Sequence, residues 1–198
     1  MNAEEALKSC LMFRSLHKDA LERIKTIIIP RKFKRGESVF NEGDRSEGFY
    51  IVQSGTVKVY KLSADGKEQV LHIVGPGENF AEATIFGDAL YPAYCDTLKD
   101  SRLLLIPKND ILLLLKENPE FCLRMLSSMA DWLKRMAVLV EEVTLKDVNT
   151  RLAGFILSTT EMKGEKVSDG ILVDLGMDKK TLAAKLGTVS ETLSRALR

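Results

Sequence analysis

The sequence of 198 residues predicts an α+β chain in three parts: an antiparallel jelly-roll barrel over 1–117, one long helix over 118–144 and a helix-turn-helix segment over 145–198. Three observations carry that reading. From about Arg31 to Leu105 apolar residues recur at every second position in short runs divided by glycines, as strands with one buried face do. After Asn118-Pro119 the period becomes helical and holds to about Thr144, longer than most globular helices. From Asp178 to Arg198 the punctuation is that of two short helices joined by a tight turn.

Composition sets the outer bounds. With 45% hydrophobic and 29% charged residues the chain can bury an ordinary core. Met1 to Cys10 holds Glu4 and Glu5 ahead of Lys8 and lacks the apolar stretch of a secretory signal. The densest apolar run, Ile111 to Leu115, is far shorter than the roughly 18 residues of a membrane helix. These features predict a cytoplasmic chain with no membrane partner. Cys10, Cys95 and Cys122 are widely spaced and odd in number, which predicts reduced, separate thiols. A net charge of +1 says little about partners, and Leu145 to Arg198 holds nine basic against seven acidic residues.

Within the barrel, Thr56-Val57-Lys58-Val59-Tyr60 and Gln69-Val70-Leu71-His72-Ile73-Val74 alternate cleanly. Glycines at 36, 43, 48, 55, 66, 75 and 77 separate the runs. Asp65-Gly66 falls between two of them and predicts a hairpin turn, because glycine accepts the positive φ of a tight connection.

In the long helix Met125, Met129, Trp132, Met136, Leu139 and Val143 are spaced alternately four and three apart, a heptad seam held for nearly three repeats. A second stripe, Leu126, Leu133 and Val140, lies beside it. One stripe can pack on the barrel while the other meets a second copy, and the six-residue seam is the dimer interface this pattern predicts. The alternative is a single buried helix within a monomer. Asp131, Lys134, Arg135, Glu141 and Glu142 form the solvated flank.

Lys163-Gly164-Glu165 and Ser168-Asp169-Gly170 mark the turns of one hairpin, with short helices around it. In the last segment Asp178 can accept a hydrogen bond from a free first-turn N–H. Ala183 allows a close helix crossing, and Gly187 supplies a left-handed turn. Val189, Leu193 and Leu197 then form an inward face, and Glu191, Ser194 and Arg195 an outward one. A polar, compact outward face is what a recognition helix offers to base edges: Arg195 can donate twice to guanine O6 and N7, and Glu191 can accept from a cytosine amino group. Ser190, Thr188 and Lys180 complete the expected DNA-facing set. Two plainer readings stand beside it, a solvated face with an i, i+4 ion pair, and a capping box Thr188-x-x-Glu191 that would commit the glutamate.

Several stretches resemble the CRP/FNR family of bacterial transcription regulators almost end to end: RGESVFNEGDRSEGFYIVQSGTVKVY over 35–60, DGKEQVLHIVGPGENFAEATIF over 65–86, Asn118-Pro119 at the opening of the helix and Leu145-Lys146-Asp147-Val148 as a hinge. The resemblance implies a cyclic-nucleotide-binding-like double-stranded β-helix, a homodimer and duplex DNA as partner, with RNA polymerase as a further one. ETLSR is similar to the FNR-type recognition helix, with Ser190 where the CRP type has an arginine, and implies TTGA-like half-sites in an inverted repeat. Relatives continue into a wing, whereas this sequence stops at Arg198, so the expected winged helix-turn-helix is incomplete.

Cyclic-nucleotide members use a Gly-Glu pair, an Arg-Ser pair that holds the ligand phosphate and a Thr-Ser pair on the long helix that meets adenine. At the matching places this chain has, in the same order, Ala81-Glu82, Tyr91-Pro92 and Met136-Ala137. A buried phosphate needs charged or N–H partners; tyrosine has no charge and proline no N–H, so no response to cAMP is expected. Only Cys10 is available to an N-terminal iron-sulfur cluster, and none is expected. The remaining effector set is His72, Glu82, Phe86, Tyr91, Tyr94, Met129 and Trp132, suited to an apolar or aromatic small molecule or to haem, with His72 as axial ligand and His17 as a weaker one. No other metal site is expected. Two histidines cannot build the metal cluster of a cupin-type enzyme, so no catalysis is expected. The competing reading is a cyclic-nucleotide-type sensing module that regulates a partner protein without DNA.

Overall fold

The computed structural model describes residues 2–13, 18–86, 90–167 and 170–197. The chain divides into two compact units, Met1–Lys61 with His72–Arg135 and Leu62–Leu71 with Met136–Arg198.

The first unit opens with helices α1 (Ala3–Ser9) and α2 (Lys18–Ile27). Asn2 and Glu5 cap α1 reciprocally: Asn2 Oδ1 accepts from the Glu5 N–H and Glu5 Oε2 from the Asn2 N–H. The strands are β1 (Ile29–Phe33), β2 (Ser38–Phe40), β3 (Gly48–Ser54), β4 (Val57–Leu62), β5 (Glu68–Val74), β6 (Asn79–Phe80), β7 (Tyr94–Thr97) and β8 (Ser101–Pro107). They form two four-stranded sheets, ordered β1-β8-β3-β6 and β2-β7-β4-β5. A 3-10 turn, Glu82–Ile85, follows β6, and α3 (Lys108–Glu117) and α4 (Pro119–Leu145) follow β8.

The pleat explains why β3 and β8 read as continuous apolar runs. Successive side chains point to opposite faces, and both faces are covered. Phe49, Ile51, Leu104 and Ile106 join the core beneath α1, α2 and α3, while Tyr50, Val52, Leu103 and Leu105 line the interior of the roll. The predicted hairpin turn is present, with Gly66 at φ +77°. Its loop is wider than a two-residue turn: the Ser63 N–H donates to the Lys67 carbonyl and the Gly66 N–H to that of Ser63.

Along α4 the two apolar stripes have different surroundings. Phe121 and Met125 are buried in the helical core, Met125 to 1% exposure. Met125 therefore stands inside its own subunit and is not free for a partner, a correction to its assignment as an interface residue. Met129, Met136 and Leu139 are half-buried, and Trp132 and Val143 are exposed. The open stripe is the second one: Leu126, Leu133 and Val140 are 61%, 63% and 62% exposed. Heptad spacing identifies both stripes equally well, because they differ by one position on the same helix, and only packing decides which is already covered.

In the second unit, α5 (Val148–Lys163) is one sixteen-residue helix where several short ones were expected. It is capped by Asp147, whose carboxylate accepts from the Thr150 N–H at 2.7 Å. An antiparallel hairpin, β9 (Glu165–Val167) and β10 (Gly170–Leu172), follows, then α6 (Lys179–Lys185) and α7 (Ser190–Ala196). Leu152, Leu182, Ala183, Leu186 and Leu193 form the core of this unit. Residue 198 lies outside the described residues.

Candidate functional site

Local chemistry builds the α6–α7 pair. Asp178 caps α6 by accepting from the Thr181 N–H at 2.8 Å, and Gly187 takes φ +62° after α6. The Thr188 N–H donates to the Ala183 carbonyl at 2.9 Å and closes the turn. Leu193 is fully buried and pins α7 to the core.

Two inward assignments do not hold. Val189 is the residue preceding α7 and is exposed, as is Leu197 at its far end. A seven-residue helix completes barely two turns, so only its central inward residue reaches the core. The capping box is not formed either: α7 begins after Val189, no side chain caps it, and Glu191 lies in its first turn. Glu191 and Arg195 are exposed, while Ser190, Ser194 and Thr188 are half-buried. Ser194 Oγ donates to the Ser190 carbonyl at 2.6 Å, and an Arg195 Nη lies 3.4 Å from Thr192 Oγ1. Lys180 is exposed on α6, 3.9 Å from Glu68.

The sequence reading overlooked Arg151. Its side chain is buried, with Nε donating to the Leu186 carbonyl at 2.8 Å and Nη1 to those of Glu142 at 3.2 Å and Lys146 at 2.5 Å. The Glu142 carbonyl also accepts from the Lys146 N–H at 3.2 Å, and the guanidinium caps it together with the Lys146 carbonyl just past the helix. The available signal was that Arg151 is the one charged residue between Val148 and Thr160.

Of the expected effector residues, the described cleft takes in His72. Tyr91 is a core residue: its ring stacks on Phe40 at 3.8 Å and 6°, and its hydroxyl lies 3.3 Å from the Gly48 carbonyl. Phe40 also contacts Tyr50 and Phe80, so aromatic side chains of the protein itself fill this part of the roll. Tyr91 is thereby corrected from ligand contact to filler. Glu82 is buried at the start of the 3-10 turn, and Phe86 is exposed beyond its end. Tyr94 stacks on Tyr60 at 5.4 Å, and Tyr60 in turn carries the Lys58 ammonium over its ring and donates to Asp96. Met129 is half-buried and Trp132 exposed on α4. His17 lies outside the described residues.

His72 lines a cleft of about 360 Å³. Arg124, Ser127, Asp131 and Arg135 of α4 form one wall, and the turn Pro76–Glu78 faces them. Such a polar wall suits a polar ligand better than a haem macrocycle, whose broad faces call for an apolar slot. Among the described residues no group of three metal-ligating side chains is assembled. Burial pushes the Cys10 thiol up to about 12 and raises that of Cys95 well above its ordinary value, so both are neutral thiols. Among the described residues no helix is long and apolar enough to cross a membrane.

The profile of the cyclic nucleotide-binding domain matches residues 30–118. The CRP-like cAMP-activated global transcriptional regulator of Mycobacterium tuberculosis is 26% identical over 194 residues, covering 98% of this chain and 87% of that protein. A mutant of CooA from Carboxydothermus hydrogenoformans is similar in structure, with a TM-score of 0.73 at 26% identity over 87% of this chain and 75% of that one. The global regulator CLP of Xanthomonas campestris shares the fold at 20% identity, with a TM-score of 0.77 over 91% and 90% of the two chains. A nucleotide-binding-type roll followed by a long helix and a helix-turn-helix defines a class of sensor-regulators. The chain therefore carries a cyclic nucleotide-binding domain over residues 30–118, and as a whole it is similar to transcription regulators of the CRP/FNR type.

Proposed function

We propose that this protein binds duplex DNA as a homodimer and regulates transcription under the control of a small effector other than cAMP. The observation that carries the reading is the exposed pair Glu191 and Arg195 on α7, a helix held by buried Leu193 and entered through the left-handed Gly187. With no capping bond on Glu191, its carboxylate is available to a cytosine amino group while Arg195 addresses guanine. The partner helix is α4 of a second copy, met through Leu126, Leu133 and Val140, whose exposure leaves a long apolar stripe open to water. Two-fold symmetry then sets a pair of α7 helices on TTGA-like half-sites about one DNA turn apart, within reach of RNA polymerase. The names of relatives include cAMP-activated and c-di-GMP responsive regulators. Here the place of the phosphate-binding Arg-Ser pair is taken by Tyr91-Pro92, and Tyr91 is packed against Phe40. An effector acts by shifting the population of DNA-competent dimers.

Fluorescence anisotropy on a set of palindromic duplexes tests the proposal. TTGA-type repeats bind tightest, exchange of the G·C pair in each half-site weakens binding, and Arg195→Ala costs about 1–3 kcal/mol of specific affinity. Equal affinity for palindromes and random duplexes would overturn it and leave the DNA-free sensing module as the reading.

A further inference from the structure

We propose that the cleft between α4 and the turn at 76–78 binds a small organic anion with two acidic groups, one addressed by the guanidinium of Arg124 and the other by that of Arg135. Both arginines line the cleft together with Ser127 and Asp131. The four positions follow the spacing i, i+3, i+7 and i+11, which keeps them on one helix face. At about 1.5 Å of rise per residue the two guanidinium-bearing positions stand about 16 Å apart along the axis and bracket the cleft.

The charge balance decides what fits. Arg124 is under-partnered: its one ion pair, to Glu120, is long at 3.4 Å. Its Nε is the one buried side-chain nitrogen or oxygen without a hydrogen-bond partner among the described residues. Arg135 has no ion pair among the described residues. The acids of the cleft are engaged elsewhere. Glu78 accepts from the Gly75 N–H at 2.7 Å, and Asp131 pairs with Lys134 at 3.3 Å. Two planar guanidinium forks, neither held in a close ion pair, are suited to carboxylate or phosphate oxygens. A volume of about 360 Å³ lies in the range of small-molecule sites. Neither Glu82 nor Tyr91 lines this space, so it is separate from the place where the roll of cyclic-nucleotide members holds its ligand. Occupancy of the cleft stands without the DNA reading; its meaning as the effector site rests on it.

Calorimetric titration of the full chain with inorganic phosphate and, separately, with succinate tests the site and tells the two anion chemistries apart. Saturable binding of succinate, which has a carboxylate for each guanidinium, is expected, weakened at least about tenfold by Arg124→Gln and by Arg135→Gln, and binding of phosphate alone overturns the proposal. Lys32→Gln, on exposed β1, leaves it unchanged. Arg135 is exposed, so its substitution keeps the test valid should the Arg124 variant fold poorly. No saturable binding of either probe, or binding indifferent to Arg135→Gln, overturns the proposal. Anisotropy with and without the bound probe is a separate measurement. Absence of specific DNA binding both with and without the probe refutes the regulator reading and leaves the calorimetric result standing.

Discussion

Nε of Arg151 donates to the main-chain oxygen of Leu186 at 2.8 Å, across thirty-five positions of sequence, from a side chain only 9% exposed. The same guanidinium closes the end of α4 through Glu142 and Lys146, so one residue serves three carbonyls. Arg151→Ala leaves the Leu186 and Lys146 carbonyls without this donor, while Glu142 keeps the Lys146 N–H, and is expected to destabilise the C-terminal unit by about 2–4 kcal/mol. Lysine, a single point donor, restores only part of that. Denaturant melts of both variants check it; an alanine variant within about 0.5 kcal/mol of wild type would reduce the bridge to a surface contact.

The two stripes of α4 separate by substitution. Leu133→Asp places a charge on the open stripe and is expected to halve the mass seen in light scattering while the circular dichroism spectrum is kept. Met125→Asp buries a charge in the helical core and is expected to unfold the first unit instead. A Leu133→Asp protein that remains dimeric refutes α4 as the contact.

Tyr91 is expected to behave as a core residue. Tyr91→Ala should cost about 3–5 kcal/mol of stability, as large aromatic truncations do, whereas Tyr91→Phe keeps the stacked ring, loses only what its hydroxyl bonds, and costs about 1 kcal/mol. Titration of the wild type with cAMP should give no saturable heat. Tight binding of cAMP would mean that the Phe40–Tyr91 stack opens.

Asp147 gives a pH signature. The Thr150 N–H donates to its carboxylate and holds its pKa below the ordinary 3.8. A carboxyl lowered on folding contributes stability that is complete above the ordinary value and is lost as pH falls through the folded one. The stability gap between wild type and Asp147→Ala should accordingly be constant near neutrality and shrink below pH 3.8. A gap that persists unchanged into strong acid would show that the charge is irrelevant to the cap.

The parts of the fold that were legible in sequence are those whose cause is local. Asp178 caps the residue three positions on, Gly187 takes its own φ, and Leu193 needs only the helical period to face inward. What was not legible depends on partners distant in sequence. Tyr91 finds Phe40 fifty-one positions away, and nothing near Tyr91 says that its ring meets another aromatic rather than a ligand. Arg151 sits in an apolar stretch where a charge predicts exposure, and its acceptors are main-chain oxygens, which leave no trace in side-chain patterns. Val189 and Leu197 follow the period that should bury them, but the core beneath α7 takes Leu193 and Ala196 and leaves both of them exposed.

The hydroxyl of Ser194 has a single hydrogen, and that hydrogen points back along α7 to the oxygen of Ser190. While this bond lasts, the side chain can offer a nucleobase only lone pairs. The edge it is able to meet is an exocyclic amine, on adenine N6 or cytosine N4, and the N7 of a purine is closed to it. Discrimination at that step of the groove would thus be set by a donor the helix has already claimed.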